Sequence, residues 1–316
     1  MTAPTDAAGY TLAVVGFGTM GQGIAVAAAA AGAAVRGYDR DDALPGARDA
    51  LRGTWQRFTG RDVDDTGGPG GITVTGDLAA AVAGADVVVE AVSEDVAVKV
   101  PVLAEVSGLA SADAVVATNT SSLPIDTLAD AVTHPRRFVA THFFNPAELV
   151  PCVEVAAAPA TASETVDRAC TVLTAIGKEP VVVRAAPGFI ANRLQLALFL
   201  EALACVDEGL ATPEQVDTVV RRSFGFRLPA YGPFQIADMA GLDVYASILD
   251  TLEVTYGPQF AQPASLRGLV AEGRLGTKAG HGFAAYTAAE VDALMRERDG
   301  RYRRMLGAVD AEHTPD

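Results

Sequence analysis

Residues 10–21, Tyr-Thr-Leu-Ala-Val-Val-Gly-Phe-Gly-Thr-Met-Gly, decide the fold. The first six form an apolar run that predicts a buried β-strand. The three glycines have Gly-x-Gly-x-x-Gly spacing, and residues 24–31 continue as a small-residue helix. Strand, glycine loop and helix in this order indicate a dinucleotide-binding Rossmann unit. Gly16 would permit the tight turn, Gly18 the approach of a pyrophosphate, and Gly21 close packing of the helix on the strand.

A second predicted strand, residues 34–38, ends at Asp39, about 20 residues beyond the glycines, where such units place a ribose-binding acid. A carboxylate there accepts hydrogen bonds from ribose hydroxyls and repels a 2′-phosphate, so the sequence favours NAD over NADP. Arg40 leaves an alternative open, because it could serve a phosphate if Asp39 turned away.

Further strands are predicted at residues 72–75, 85–89 and 114–118, with short helices between them. Polar side chains follow the ends of the last two strands. In an open α/β sheet, ligands bind at the carboxyl ends of the strands. These side chains are therefore candidate site residues: Glu90, Glu94, Asn119 and Ser121, with Lys99 on the following helix. We expect one of Ser121 and Ser122 to cap the next helix and the other hydroxyl to remain free.

Two more short apolar strands carry a histidine and a glutamate. His142 ends the run 137–142, and Glu154 interrupts a second run twelve residues later. A histidine beside a buried carboxylate is a general-base arrangement, because the carboxylate orients the ring and stabilises its charged form. The alternative is a core histidine with an unrelated surface glutamate, and these residues alone do not decide between the two.

Strand signals end at Pro187-Gly188. We predict a Rossmann-type domain over residues 1–186, with a doubly wound, mainly parallel sheet, and an all-α C-terminal domain over residues 187–316. Within the second domain, helices are predicted at residues 189–205, from Thr212-Pro213, at 242–256, at 264–272 and from 289 onward, with a Gly/Pro-punctuated connection at 225–241. Its apolar surface is large for its size, so we expect it to form the oligomer interface.

The bulk composition excludes several classes of protein. A net charge of -15 argues against nucleic acid or an anionic membrane as the main partner. Cys152, Cys170 and Cys205 are scattered in apolar surroundings, which favours buried, reduced thiols in a cytoplasmic protein. No metal-ligand spacing, signal peptide or membrane span is predicted.

The predicted helix at residues 41–61 carries four arginines. They are Arg48, Arg52, Arg57 and Arg61. A solvated charged face is the usual meaning of such a run. The functional alternative is an anchor for a phosphorylated carrier arm. The Gly/Asp-rich residues 62–71 predict a loop.

Along nearly its whole length the chain resembles the 3-hydroxyacyl-CoA dehydrogenase family. The stretches that carry the resemblance are Gly16-Phe-Gly-Thr-Met-Gly21, Asn119-Thr-Ser-Ser122, His142-Phe-Phe-Asn-Pro146, Val153-Glu-Val155, Pro187-Gly-Phe-Ile-Ala-Asn-Arg193, Gly232-Pro-Phe, Gly241-Leu-Asp and residues 276–283. The resemblance implies an NAD-dependent oxidoreductase that interconverts (S)-3-hydroxyacyl and 3-ketoacyl thioesters of CoA or acyl carrier protein. It also implies a fatty-acid-type substrate and a homodimer formed through the C-terminal domain.

The resemblance further implies roles for single residues. His142 and Glu154 would form the catalytic pair, while Ser121 and Asn192 would hold the substrate oxygen. The cofactor contacts would be Gly16, Gly18, Met20, Gly21, Asp39, Glu94, Lys99 and Asn119.

Departures from the family pattern leave the acyl carrier open. The segment after Asp39 looks short, and arginines stand where the family places lysines near the CoA arm. Residues 146–151 look more like branches that act on free polar hydroxy acids, such as lambda-crystallin-like dehydrogenases, or on carrier-bound units. In Phe283-Ala-Ala-Tyr286, alanine stands directly after the phenylalanine, where the family usually has tyrosine.

Two other classes compete with this reading. A 3-hydroxyisobutyrate-type enzyme would need a lysine on the helix after Gly188, and residues 189–209 contain none. A non-catalytic NAD-binding paralogue has no reason to keep His142, Glu154, Ser121 and Asn192 together.

Overall fold

A computed structural model of the chain describes residues 7–62 and 71–311, with side chains up to Gly307. The chain forms two compact units, one up to Leu198 and one from Phe199 onward. The division falls inside helix α7, Ala191–Asp207. The predicted domain boundary at residue 187 lies ahead of that helix and stays a prediction.

The first unit is built on one eight-stranded sheet in the order β3-β2-β1-β4-β5-β6-β7-β8. The strands are β1 Thr11–Val15, β2 Ala34–Tyr38, β3 Ile72–Thr75, β4 Val87–Glu90, β5 Val115–Thr118, β6 Phe138–Phe143, β7 Cys152–Ala157 and β8 Glu179–Arg184. Only the β6–β7 pair is antiparallel among these neighbours. The predicted doubly wound, mainly parallel sheet is confirmed.

Helices cover the sheet. They are α1 Thr19–Ala30, α2 Leu44–Thr59, α3 Leu78–Val82, α4 Val96–Leu109, α5 Ile125–Ala129 and α6 Ser163–Ala175, with a 3-10 turn at Pro135–Arg137. The central strands β1, β4, β5 and β6 are almost wholly buried, which explains their continuous apolar sequences. Two core clusters of apolar side chains include residues from these strands.

Close packing places the first loop at the carboxyl edge of the sheet. Gly37 on β2 lies against Phe17, and a Cβ there would approach the ring to 2.2 Å. A Cβ on Gly21 would lie 2.0 Å from the carbonyl oxygen of Gly16. Both glycines therefore allow α1 and its loop to approach β1 and β2, as the sequence predicts for Gly21.

The second unit contains helices only among its described regular elements. They are the rest of α7, then α8 Pro213–Arg222, α9 Phe224–Arg227, α10 Pro233–Ala240, α11 Leu242–Tyr256, α12 Ala264–Ala271 and α13 Ala288–Ala311, with 3-10 turns at Pro258–Phe260 and Thr277–Ala279. Thr212 and Gln215 form the predicted capping box.

Two expectations need correction. Residues 225–241 are not a plain connection, because α9 and α10 occupy most of them and Pro233 stands in the first turn of α10, where proline is tolerated. The three cysteines are free, but each is half-buried rather than buried. The predicted loop at residues 62–71 lies mostly outside the described residues. In the described part of the chain, no helix has the length and apolar character needed to cross a bilayer.

Candidate active site

The glycine loop between β1 and α1 has the geometry of a pyrophosphate cradle. Gly16 has φ +93°, and a Cβ there would meet the backbone of Val92 at 2.7 Å. Gly18 precedes α1 as its N-cap and provides no side-chain cap. A Cβ on Gly18 would meet no described atom within 4 Å. This open space beside a helix N-terminus fits the phosphates of NAD, since the amides and the helix dipole favour negative charge.

Asp39 lies beside this loop at the end of β2. Its Oδ2 accepts a hydrogen bond from the Phe17 amide at 3.0 Å, and its Oδ1 accepts one from the Arg40 amide at 2.8 Å. The carboxylate is therefore turned toward the glycine loop. The Arg40 side chain lies 3.7 Å from Asp42 and is exposed. This is the placement that the sequence predicts for a ribose-binding acid.

A buried ion-pair cluster lies at the end of β4. Glu90 is fully buried and accepts hydrogen bonds from Lys99 Nζ at 2.8 Å, Thr118 Oγ1 at 2.6 Å and the Val92 amide at 2.7 Å. Lys99 is 1% exposed and also contacts the Val92 carbonyl at 3.1 Å and Glu94 at 3.5 Å. The ammonium of Lys99 is thus directed at protein acceptors and supports Glu90 and Glu94.

Glu94 accepts several hydrogen bonds from the loop that follows β5. Its Oε1 accepts hydrogen bonds from Thr120 Oγ1 at 2.8 Å and from the amides of Ser121 and Ser122 at 2.7 and 3.0 Å. Burial raises the pKa of Glu94, but these hydrogen bonds and the charge of Lys99 together bring it below its usual value. The carboxylate therefore stays charged and holds the serine loop.

The expectation that a serine caps the next helix is wrong. The N-cap of α5 is Pro124, without a side-chain cap. Instead both serine hydroxyls donate to Glu94, Ser121 at 3.1 Å and Ser122 at 3.3 Å. Thr120 Oγ1 accepts from the Leu123 amide and fills the turn. The acidic partner across the sheet edge outcompetes local capping because a charged acceptor makes the stronger hydrogen bond.

His142 and Glu154 face each other across the antiparallel pair β6–β7. His142 Nδ1 lies 2.9 Å from Glu154 Oε2, and both side chains are 5% exposed. The other oxygen, Oε1, accepts hydrogen bonds from the amides of Ile190 at 2.9 Å and Ala191 at 3.1 Å. These amides belong to the start of α7, where the helix dipole favours a carboxylate. Because a carboxylate only accepts, Nδ1 donates to it and Nε2 is left to exchange a proton.

Aromatic rings enclose the histidine. The ring centroid of Phe144 lies 4.4 Å from that of His142, and the centroid of Phe189 lies 5.2 Å away in a stacked orientation. An apolar surrounding of this kind keeps water from the ring and strengthens its interaction with Glu154.

The remaining predicted residues lie around the same edge. Asn192 Nδ2 donates to the Ser121 carbonyl over a long 3.4 Å. Asn119 Oδ1 accepts from the Phe143 amide at 2.9 Å, which ties the end of β5 to the end of β6. Met20 packs, partly buried, against the larger core cluster.

A cavity of about 660 Å³ opens beside this edge, between α1, α2 and the segment after β6. Its charged lining residues are Asp49, Arg57 and Glu148. Each arginine of α2 has a protein partner: Arg57 donates to Thr54 Oγ1 at 3.0 Å, Arg48 donates to the Val74 carbonyl, and Arg52 pairs with Asp49. The cavity therefore presents mixed charge rather than a cationic patch.

Several features of the site were not predicted from the sequence. The role of Phe189 and of the Ile190 and Ala191 amides depends on backbone conformation, which no periodicity reveals. Lys178 is buried and donates to the carbonyls of Ala147 and Val150 at 2.6 and 2.9 Å, holding the segment after His142. A lysine in a Gly-Lys turn gave no signal for this contact.

Comparison with known proteins defines the class of this chain. Residues 11–186 match the 3-hydroxyacyl-CoA dehydrogenase NAD binding domain, and residues 188–286 match the 3-hydroxyacyl-CoA dehydrogenase C-terminal domain. With the glycine loop and Asp39, these matches make the protein an NAD-dependent oxidoreductase. The chain belongs to the 3-hydroxyacyl-CoA dehydrogenase family.

Relatives within the family differ in the substrates that their names state. A 5-formyl-3-hydroxy-2-methylpyridine 4-carboxylate 5-dehydrogenase of Mesorhizobium japonicum is 34% identical over 290 residues, covering 91% of this chain and 94% of the relative. A probable 3-hydroxybutyryl-CoA dehydrogenase of Bacillus subtilis is 36% identical over 284 residues, covering 86% and 96%.

Among solved structures, a 3-hydroxyacyl-CoA dehydrogenase of Archaeoglobus fulgidus has a TM-score of 0.78 at 31% identity, covering 95% of this chain and 99% of that one. The structure of an NAD+-dependent pyridine-carboxylate dehydrogenase of the kind named above has a TM-score of 0.72 at 32% identity, covering 97% and 99%. Both kinds of relative therefore share the fold of nearly the whole chain.

Proposed function

We propose that the protein interconverts (S)-3-hydroxyacyl and 3-ketoacyl thioesters with NAD, and that His142 is the general base held by Glu154. The observation that carries the proposal is the buried 2.9 Å contact between His142 Nδ1 and Glu154 Oε2. This contact leaves Nε2 to exchange a proton with a substrate hydroxyl.

The pair supplies the proton transfer. His142 takes the proton of the 3-hydroxyl at Nε2 and returns it in the reverse direction. Glu154, fixed by the Ile190 and Ala191 amides, stabilises the imidazolium that forms in this apolar surrounding. NAD, when bound, accepts hydride from the same substrate carbon.

Ser121 and Asn192 are proposed to hold the substrate oxygen. Ser121 is half-buried and its hydroxyl bond to Glu94 is 3.1 Å long, and the Asn192 amide makes only a 3.4 Å bond. Both donors can therefore turn to a bound oxygen at small cost. Holding that oxygen keeps the reacting carbons within reach of each other.

The cofactor contacts are proposed on the same edge of the sheet. Gly16, Gly18, Met20 and Gly21 would line the phosphates, and Asp39 the ribose. Glu94 and Asn119 would lie along the nicotinamide side. Lys99, buried beneath them, would act through Glu90 and Glu94.

A second candidate is a dehydrogenase of a free polar acid. It is favoured by the mixed charge of the 660 Å³ cavity, in which Asp49 and Glu148 accompany Arg57, and by the pyridine-carboxylate relatives. The polyanionic arm of CoA would gain little from such a lining. A carrier-protein-bound hydroxyacyl unit is the third form that the substrate could take.

We also propose a cytoplasmic homodimer that acts in fatty-acid-type metabolism. Large apolar side chains of the second unit are exposed, among them Phe199 at 55%, Leu200 at 66% and Val254 at 89%. Exposed apolar surface of this kind is typical of an interface between protein chains. Sedimentation of the purified chain would test the dimer.

The substrate test follows NADH oxidation with a matched panel: acetoacetyl-CoA, acetoacetyl-acyl carrier protein and free polar keto acids, with NADPH as cofactor control. We expect the highest kcat/KM with one of the thioesters and a strong preference for NADH over NADPH. Turnover of the free acids alone would overturn the thioester assignment and leave the second candidate.

A further inference from the structure

Phe189 has an unusual backbone conformation. Its φ is +48°, and among the described residues it is the only one other than glycine with a positive φ. Its side chain is 2% exposed. A bulky side chain rarely adopts the left-handed region, and such a conformation persists where the surrounding structure imposes it, often at functional sites.

The side chain of Phe189 contacts the histidine of the candidate pair. The two ring centroids lie 5.2 Å apart with 28° between the ring planes. Phe144 contacts the same imidazole at 4.4 Å. The rotation of His142 about its χ angles is therefore restricted by aromatic neighbours as well as by Glu154.

The backbone of Phe189 directs the glutamate of the same pair. Gly188, with φ +75°, and Phe189 form successive left-handed residues between β8 and α7. The next two amides, those of Ile190 and Ala191, then point at Glu154 Oε1. A right-handed or extended residue at position 189 would turn these amides elsewhere.

We propose that Phe189 is a positioning residue that fixes both members of the pair, its ring holding His142 and its left-handed backbone presenting the α7 amides to Glu154. This inference rests on the proposed function of His142 and Glu154. A residue that only packs in the core would act through its ring alone. For Phe189 we infer a second contribution, from the backbone conformation, that does not depend on the ring.

Two substitutions separate the two contributions. Phe189→Asn removes the ring but keeps a residue that tolerates the left-handed region. Phe189→Val also removes the ring, and its β-branched side chain opposes that region. Core packing alone would rank the variants the other way, since valine is apolar and asparagine would bury a polar group.

Activity is measured with the best substrate of the panel above, corrected for the folded fraction. We expect kcat to fall about 10-fold for Phe189→Asn and about 100-fold for Phe189→Val, because small misplacements of reacting groups have effects of this size. KM for NADH should stay within about threefold in both variants, since the glycine loop and Asp39 are separate from this residue.

A chemical readout does not depend on turnover. Diethyl pyrocarbonate modification of His142, followed by peptide mass spectrometry, should be faster in both variants than in the wild type. The matched control is Phe138→Leu, a truncation in β6 of a fully buried phenylalanine from the same core cluster as Phe189. It should lower the melting temperature without changing His142 modification.

The outcomes distinguish a failure of the role inferred for Phe189 from a failure of the proposed general base. If Phe189→Val equals or exceeds Phe189→Asn in kcat, or if His142 modification is unchanged, Phe189 is a packing residue and the inference is overturned. If His142→Gln, assayed alongside, retains turnover, the proposed base itself is wrong.

Discussion

His142 and Glu154 occupy directly opposed positions on the one antiparallel strand pair of the described sheet, 2.9 Å apart at Nδ1 and Oε2. The reversal of chain direction between β6 and β7 places both side chains on the same face, because opposed residues in an antiparallel pair project together. The eleven residues between them, 143–153, contain the connection that brings the imidazole and the carboxylate into contact.

Replacing Glu154 by glutamine should uncouple this pair. The amide carries no charge to stabilise the imidazolium, so we expect kcat to fall about 100-fold or more, within the range of general-base effects. NADH affinity, measured by fluorescence titration, should change little. Glu179→Gln on β8, an exposed acid, is the matched control and should retain wild-type kcat. A parallel loss of NADH binding in Glu154→Gln would show that the roles are misassigned.

Replacing Asp39 by alanine should relax the cofactor preference. The carboxylate beside the Phe17 amide repels a 2′-phosphate, so its loss should reduce the NADH/NADPH ratio of kcat/KM by about 10-fold or more, as expected for one charged contact. Glu105→Ala on α4 removes an equal charge from an exposed position and should leave the ratio unchanged. An unaltered ratio in Asp39→Ala would show that another residue sets the preference for NADH over NADPH, and Arg40 would be the next candidate.

Glu94 should contribute acid-dependent stability. Although burial raises its pKa, hydrogen bonds from Thr120 and the serine amides and the charge of Lys99 bring the pKa of the folded state below 4.5. The stabilisation is therefore present above pH 4.5 and is lost as pH falls through the folded value. The wild type should melt higher than Glu94→Gln at neutral pH, and the gap should narrow in acid. A gap independent of pH would contradict this.

Lys178 should affect the stability of the fold in alkaline solution. Burial lowers its pKa to about 8, partly offset by the charge of Glu148. Between pH 8 and the usual value of 10.5 the unfolded chain binds more protons than the folded one, so this residue makes stability rise with pH over that window. Melting curves of Lys178→Met should lack this contribution. Identical pH slopes for the two proteins would disprove the assignment.

The sequence predicted what depends on local pattern. Periodicity and the glycine spacing gave the strands, the mainly parallel sheet and the placement of Asp39. The positions of Glu94 and Asn119 after strand ends made them candidate site residues, since parallel strands finish at one edge of the sheet. The pairing of His142 with Glu154 needed the register between two strands, and from the residues alone it stayed an open alternative.

The features that the sequence did not predict depend on contacts between residues that are distant in the chain. One of Ser121 and Ser122 was expected to cap a helix and the other to keep a free hydroxyl, yet both hydroxyls donate to the charged Glu94, which follows another strand end. The helices within residues 225–241 were obscured by Gly and Pro, which there mark first turns and ends. The left-handed Phe189 has no composition signal, because its conformation is imposed by its neighbours.

The most direct test of the central claim is the kcat of NADH oxidation for His142→Gln with the best substrate of the panel, beside the wild type. Glutamine retains a polar side chain at this position but cannot serve as a base. We predict a loss of about 10³-fold, within the range for removal of a general acid–base group, with NADH binding unchanged. Turnover within tenfold of the wild type would contradict the account.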